Sequence, residues 1–252
     1  SHYASGLFRE LGLVGWRGVV VNFRSCSGEV NRSRRMYHSG DTEDLELVLG
    51  RLIAREPGLR LGLVGVSLGG NVALKWLAER GDAAPPQVAG AVAISTPFNL
   101  AACAAALDRG LNRVLYTANF LSTMKSKLDR KAKLYDGVIN LLAARKAKTF
   151  AQYDRLVTAP LGGFVDEHDY WARSSSGPLL PRIRRPTLLI NALNDPFIPA
   201  PTLPGALIAG SRWLEGAFMP EGGHAGFLEG ASGARSWAEA RAVEFLRPHL
   251  IG

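Results

Sequence analysis

The sequence predicts an α/β fold: a mostly parallel, doubly wound sheet with an inserted helical cap. Three observations predict it. Short apolar, β-branched runs alternate with helix-like segments over most of the chain. One strand–helix junction carries Gly65-Val66-Ser67-Leu68-Gly69, a G-x-S-x-G turn. Between Pro97 and Ser176 the alternation stops and helical patterning takes over.

Taken in order, residues 4–11 read as a helix and Val19-Val20-Val21-Asn22-Phe23 as the first strand, because β-branched residues favour a pleated surface. A helix is expected over 42–55, a strand over 61–66, a helix over 72–80 and a strand over 88–94. Residues 101–158 are helix-like, with Gly110 and Gly137 as breaks. The run 187–192, opened by Pro186 and closed by Asn194-Asp195-Pro196, reads as a buried strand; another follows over 213–219, and a helix over 236–246. The expected organisation is therefore a core of residues 1–96 and 178–252 with a cap, residues 97–177, over the Ser67 pocket. The Ser174-Ser175-Ser176 run reads as a loop rather than a site.

A serine hydroxyl becomes a useful nucleophile only when held beside a base, and a sharp strand-to-helix turn presents it that way. Glycine at 65 and 69 is expected where strand and helix pack too closely for a side chain. Asp195 stands just past a strand end, and His224, in Gly222-Gly223-His224, lies between the last strand and the last helix. Ser67, Asp195 and His224 follow the chain order nucleophile, acid, base, and the backbone N–H of Leu68 is the expected first oxyanion donor. The alternatives are weaker. His2, His38 and His168 precede the acid-bearing strand, and His249 lies at a helix end; Asp154, Asp166 and Asp169 follow no strand, and Asn194 cannot carry the charge.

Further blocks point to a known family: Asn22-Phe23-Arg24-Ser25-Cys26-Ser27-Gly28-Glu29, Tyr37-His38-Ser39-Gly40-Asp41-Thr42-Glu43-Asp44, Ser67-Leu68-Gly69-Gly70-Asn71, Asp195-Pro196-Phe197 and Gly222-Gly223-His224-Ala225-Gly226-Phe227. With these the chain resembles, over nearly its whole length, the YheT-like branch of α/β-hydrolases, related to ABHD-type acylglycerol lipases and esterases. The resemblance implies a carboxylic-ester hydrolase for short or medium acyl chains, without metal or organic cofactor, in which Ser67, Asp195 and His224 are nucleophile, acid and base. Ser25 stands where that family usually has glycine. The resemblance also implies a strand and a His-Gly-x-x-Gly oxyanion loop ahead of the segment matched by residues 1–7. On that reading the second oxyanion donor falls outside these residues, activity is reduced, and the strands at 19–23 and 61–66 either leave a gap or, as favoured, pair directly or distort.

At 252 residues and 47% hydrophobic, the chain can bury one large core. Apolar runs are interrupted before the ~20 residues a membrane span needs, and no leader is visible. Two cysteines, Cys26 and Cys103, suggest neither a disulfide framework nor a zinc site and favour a reducing, cytoplasmic setting. Of the net charge of +8, much lies over residues 120–150, where Lys125, Lys127, Arg130, Lys131, Lys133, Arg145, Lys146 and Lys148 face only Asp129 and Asp136. Such a segment suits weak contact with anionic lipid or, equally, a solvated helix face. No nucleic-acid motif accompanies it. Tyr116, Phe120 and Phe150 suit an acyl chain or simple core packing. An acyltransferase using the same triad is the nearest alternative function. A catalytically silent hydrolase-fold binding protein is the second, and serine at the elbow disfavours dehalogenase chemistry.

Overall fold

The computed structural model describes residues 2–229 and 235–251, without the side chains of His2, Tyr3, Glu229 and Arg235. Four parallel strands, β1 (Leu61–Val66), β2 (Val88–Ile94), β3 (Thr187–Ala192) and β4 (Leu214–Met219), lie side by side in chain order. Their registers align the carboxyl ends: Val66 pairs with Ile94, Ile94 with Ile190, and Ala192 with Met219. The central strands are continuous apolar runs because both faces are covered. On one face Leu63, Ala91, Ala93 and Leu189 pack against Leu49 of α2 (Glu43–Arg55) and Leu74 and Leu77 of α3 (Leu68–Arg80). On the other, Val92, Ile94, Leu188 and Ile190 meet Ala238, Ala242 and Leu246 of the helix Trp237–Leu250. Helix α1 (His2–Leu13) also packs on that last helix.

One expected strand does not form. Residues 19–23 have no ladder, and Val19, Val20 and Val21 remain 64, 49 and 42% exposed. Of the favoured outcomes, direct pairing with β1 or distortion, the pairing is not made. β-propensity describes how side chains fit a pleated sheet, but a strand exists only through hydrogen bonds to a neighbour, and here none is made. Among the described residues, no strand pairs with the outer edge of β1.

The chain divides into two compact units: residues 1–21, 42–98 and 175–252, and residues 22–41 and 99–174. Segment 22–41, expected in the core, thus groups with the helical residues, because the helices of the second unit bind it. The Lys131 ammonium, 2% exposed, donates to Asn31 Oδ1 at 2.7 Å and to the Arg35 carbonyl at 3.2 Å. Lys127 reaches Cys26 Sγ at 2.9 Å, Arg130 the Gly28 carbonyl, and the Tyr170 hydroxyl donates to Ser39 Oγ at 2.9 Å. Met36 joins an apolar core of Leu121, Leu128, Tyr135, Tyr153 and Val157. Ser25 occupies left-handed backbone, φ 63°, where glycine is the unstrained choice; its hydroxyl, 2.7 Å from Asn31 Oδ1, also accepts the Asn31 N–H. Those bonds offset the strain and account for serine there.

Asp154, buried in this unit, accepts from Thr158 Oγ1 at 2.7 Å and Trp171 Nε1 at 2.9 Å, and burial pushes its carboxyl up to about 6 from 3.8. The folded protein therefore binds this proton more readily than the unfolded chain, so stability falls as pH rises from about 4 to about 6 and stays reduced above. Asp154→Asn should remove the dependence, gaining on the order of 2 kcal/mol over wild type at pH 8 and little at pH 4. Urea unfolding of both proteins across that range checks this, and a pH-independent difference contradicts it.

Candidate active site

The site is built at the carboxyl ends of the parallel strands. Strand β1 ends at Val66 and α3 begins at Leu68, so the chain reverses through the single residue Ser67, at φ 53° and ψ −122°. Its N–H still donates to the Ile94 carbonyl at 2.8 Å, and its own carbonyl accepts from Gly70 and Asn71. The two ends of this turn nearly touch. A Cβ on Gly65 would lie 2.4 Å from the Gly69 carbonyl oxygen, and one on Gly70 would lie 2.0 Å from Thr96 Oγ1. A Cβ on Gly69 would meet nothing within 4 Å. The steric requirement expected at 65 and 69 thus falls on 65 and 70, with Gly69 supplying the backbone that Gly65 must clear.

His224 lies between the other two residues of interest. Its Nε2 is 2.9 Å from Ser67 Oγ, and its Nδ1 is 2.9 Å from Asp195 Oδ2. An ionised carboxylate only accepts, so this pairing places the imidazole proton on Nδ1 and leaves Nε2 free to accept from the serine hydroxyl. The Asp195 side chain is fully buried, and its second oxygen accepts the Phe197 N–H at 2.8 Å. The Phe197 ring lies 4.3 Å from the imidazole, centroid to centroid. Leu68 is the first residue of α3, so its N–H has no acceptor within the helix.

The competing residues have other partners. His38 packs edge-on to Phe164 and Tyr170, His168 is exposed beside Glu167 and Trp171, and His249 lies against Phe245. Asp166 accepts the Asp169 N–H, and Asp169 pairs with Arg173. Two contacts at this site carried no sequence motif. The Ser95 hydroxyl accepts the Ala225 N–H at 3.0 Å, and Asn194 Oδ1 accepts the Gly223 N–H at 2.9 Å. Among the described residues, no group of three His, Cys, Asp or Glu side chains is placed to hold a metal ion.

A serine at a strained strand–helix turn, contacted by a histidine that is itself bonded to a buried aspartate, thus stands at the carboxyl ends of a parallel sheet. The chain belongs to the alpha/beta hydrolase fold family, whose sequence profile matches residues 1–231. It is 39% identical to YheT of Escherichia coli (strain K12), described as a candidate esterase, over 99% of this chain and 73% of that protein. It is 30% identical to phospholipase ABHD3 of Mus musculus over 86% of this chain, and 27% identical to a monoacylglycerol lipase of Saccharomyces cerevisiae over 89%. The chain spans only 52 and 51% of those two proteins. In fold it is similar to the Pyrococcus furiosus esterase Pf2001, with a TM-score of 0.60 at 16% identity, over 99% of this chain and 78% of that one.

Gly65→Ala tests the turn, because the added methyl would overlap backbone rather than a movable side-chain tip. It is expected to cost more than about 3 kcal/mol of stability or to abolish soluble expression, whereas Gly69→Ala should change stability by less than about 1 kcal/mol. Equal effects in thermal unfolding would show that the close approach does not govern the turn.

Proposed function

We propose that this protein is a serine carboxylic-ester hydrolase, working through an acyl-enzyme at Ser67 on short- or medium-chain acyl esters, acylglycerols among them. The 2.9 Å contacts of His224 to Ser67 Oγ and to Asp195 carry this reading. Relatives named as an esterase, a phospholipase and a monoacylglycerol lipase support an ester-hydrolysing enzyme. In the proposed reaction Ser67 Oγ attacks the ester carbonyl carbon while its proton passes to His224 Nε2. The Leu68 N–H stabilises the resulting oxyanion. Collapse breaks the C–O bond, and the leaving alkoxide takes the proton from His224. Water, deprotonated by the same nitrogen, then attacks the acyl-enzyme and releases the acid and Ser67. Asp195 holds the imidazole tautomer throughout. The second unit is proposed as the cap that selects the acyl group.

Fluorophosphonate labelling with peptide mapping, alongside p-nitrophenyl butyrate hydrolysis, tests this. Ser67→Ala should abolish both, His224→Ala should nearly match it, and Asp195→Asn should lower turnover by roughly 10⁴-fold. Labelling that survives in Ser67→Ala rejects the assignment. Offering an alcohol or thiol acceptor separates hydrolase from acyltransferase, and a silent wild type indicates a binding role.

We also propose that the second unit touches anionic lipid. Exposed apolar side chains support this better than the basic segment, because Lys131 is buried and Lys127 and Arg130 are engaged with residues 26 and 28. Leu111, Val114 and Leu115 are 77, 70 and 60% exposed at helical i, i+3, i+4 spacing, flanked by exposed Arg109 and Arg113. No helix among the described residues is long and apolar enough to cross a membrane. Sedimentation with phosphatidylserine-containing vesicles should capture the protein, and replacing all three apolar residues by serine should weaken capture by about tenfold or more. Wild-type protein left in the supernatant overturns the proposal.

A further inference from the structure

The loop that carries His224 runs through positive-φ backbone on both sides of the histidine, suited by glycine at 222 and 223 but not by Ala225. Gly222, Gly223 and Ala225 have φ of 152, 54 and 62°, so left-handed conformations flank the histidine and include one residue with a Cβ. A loop of this kind holds its shape only when its backbone groups are satisfied from outside. Two are satisfied by side chains from neighbouring strand ends. The Gly223 N–H, just before His224, donates to Asn194 Oδ1 at 2.9 Å, and the Ala225 N–H, just after it, donates to Ser95 Oγ at 3.0 Å. The Gly226 N–H then closes the turn onto the Gly222 carbonyl at 2.9 Å.

Ser95 is itself fixed, and Asn194 is an exposed turn residue next to a buried one. Ser95 follows the last residue of β2, is fully buried, and has φ 49°; its N–H donates to the Ile190 carbonyl at 2.7 Å. It stands level with Ser67, because Val66 and Ile94 are register partners. Asn194 immediately precedes Asp195, the partner of the imidazole. The loop is therefore tied on one side to the strand next to the nucleophile and on the other to the turn bearing the acid.

We propose that Ser95 and Asn194 are positioning residues that set the placement of His224 between Ser67 and Asp195, a role that rests on the catalytic reading given above. Neither side chain need touch substrate. Each receives a peptide N–H adjacent to the base, so its removal shifts the imidazole while leaving all three reacting side chains present.

The experiment compares Ser95→Ala, Asn194→Ala and Asn194→Asp in the full chain, alone and combined with His224→Ala. Ser95→Ala and Asn194→Ala should each lower kcat and the fluorophosphonate labelling rate by about 10- to 100-fold with KM within about twofold, since small displacements at a reacting centre are costly. Asn194→Asp, which keeps an acceptor oxygen, should recover most of the loss. In the His224→Ala background the Ser95 and Asn194 substitutions should cost nothing further, because they act through the missing base. A loss that persists there, or that tracks the thermal midpoint alone, marks a merely structural role and overturns the proposal. Hydrogen exchange supplies a readout independent of activity: the Ala225 amide should exchange about tenfold faster or more in Ser95→Ala, and the Gly223 amide likewise in Asn194→Ala. Unchanged protection overturns the anchoring even in a protein that labels. Should the wild type fail to label, the catalytic reading fails alone, and the exchange arm still decides whether these side chains hold the loop.

Discussion

The approach of Gly65 to the Gly69 carbonyl is the constraint on which the rest of the site depends. It forces the reversal from β1 to α3 through one residue, and Ser67 takes the left-handed conformation that projects its side chain beyond the strand ends. Such backbone costs of order 1–3 kcal/mol and persists only where the surroundings hold it. Here the Ser67 N–H continues the ladder to Ile94, and α3 is held down by Leu74, Trp76 and Leu77, each no more than 1% exposed. Burying each such side chain contributes roughly 1.5–3 kcal/mol before its entropy cost, the same order as the strain. Parallel registry then places Ser95 and the turn after β3 level with that serine.

The second unit turns positive charge into architecture. A buried ammonium is costly unless its donors are taken up. Lys131 meets this condition with an amide oxygen and a backbone carbonyl, and the loop 22–41 that supplies them is irregular and needs such partners for its own backbone. Asn31 is the meeting point: its side-chain oxygen takes the ammonium, and its amide nitrogen donates to Ser33 Oγ and the Arg35 carbonyl. The Asn-Phe-Arg and Tyr-His-Ser-Gly-Asp blocks, which carried the family resemblance, thus take part in folding this unit.

What the sequence disclosed and concealed divides along physical lines. The strands 61–66, 88–94 and 187–192 were legible to the residue, because strands of a covered parallel sheet must be short apolar runs between turn residues. The elbow was legible because its geometry admits few residue types. Ser67, Asp195 and His224 could be named from chain order, and His224 stands within hydrogen-bond reach of the other two. Residues 19–23 misled because β-branched composition reports local fit and not the presence of a neighbour. The grouping of 22–41 with the helices, the requirement for glycine at 70 rather than 69, and the contacts of Ser95 and Asn194 all depend on groups far apart in sequence. No local pattern encodes them.

Asn194 shows how this blindness arises. Judged as a candidate acid it is excluded, since an amide cannot balance an imidazolium. Yet its side-chain oxygen still accepts, and one residue from the fully buried Asp195 it takes the Gly223 N–H. In the proposed reaction the imidazole gains and loses a proton each cycle, whereas the Gly223 and Ala225 N–H groups bond to side chains that take no part in that transfer. On that proposal Ser95 and Asn194 place the ring, and Asp195 is left to stabilise its charge.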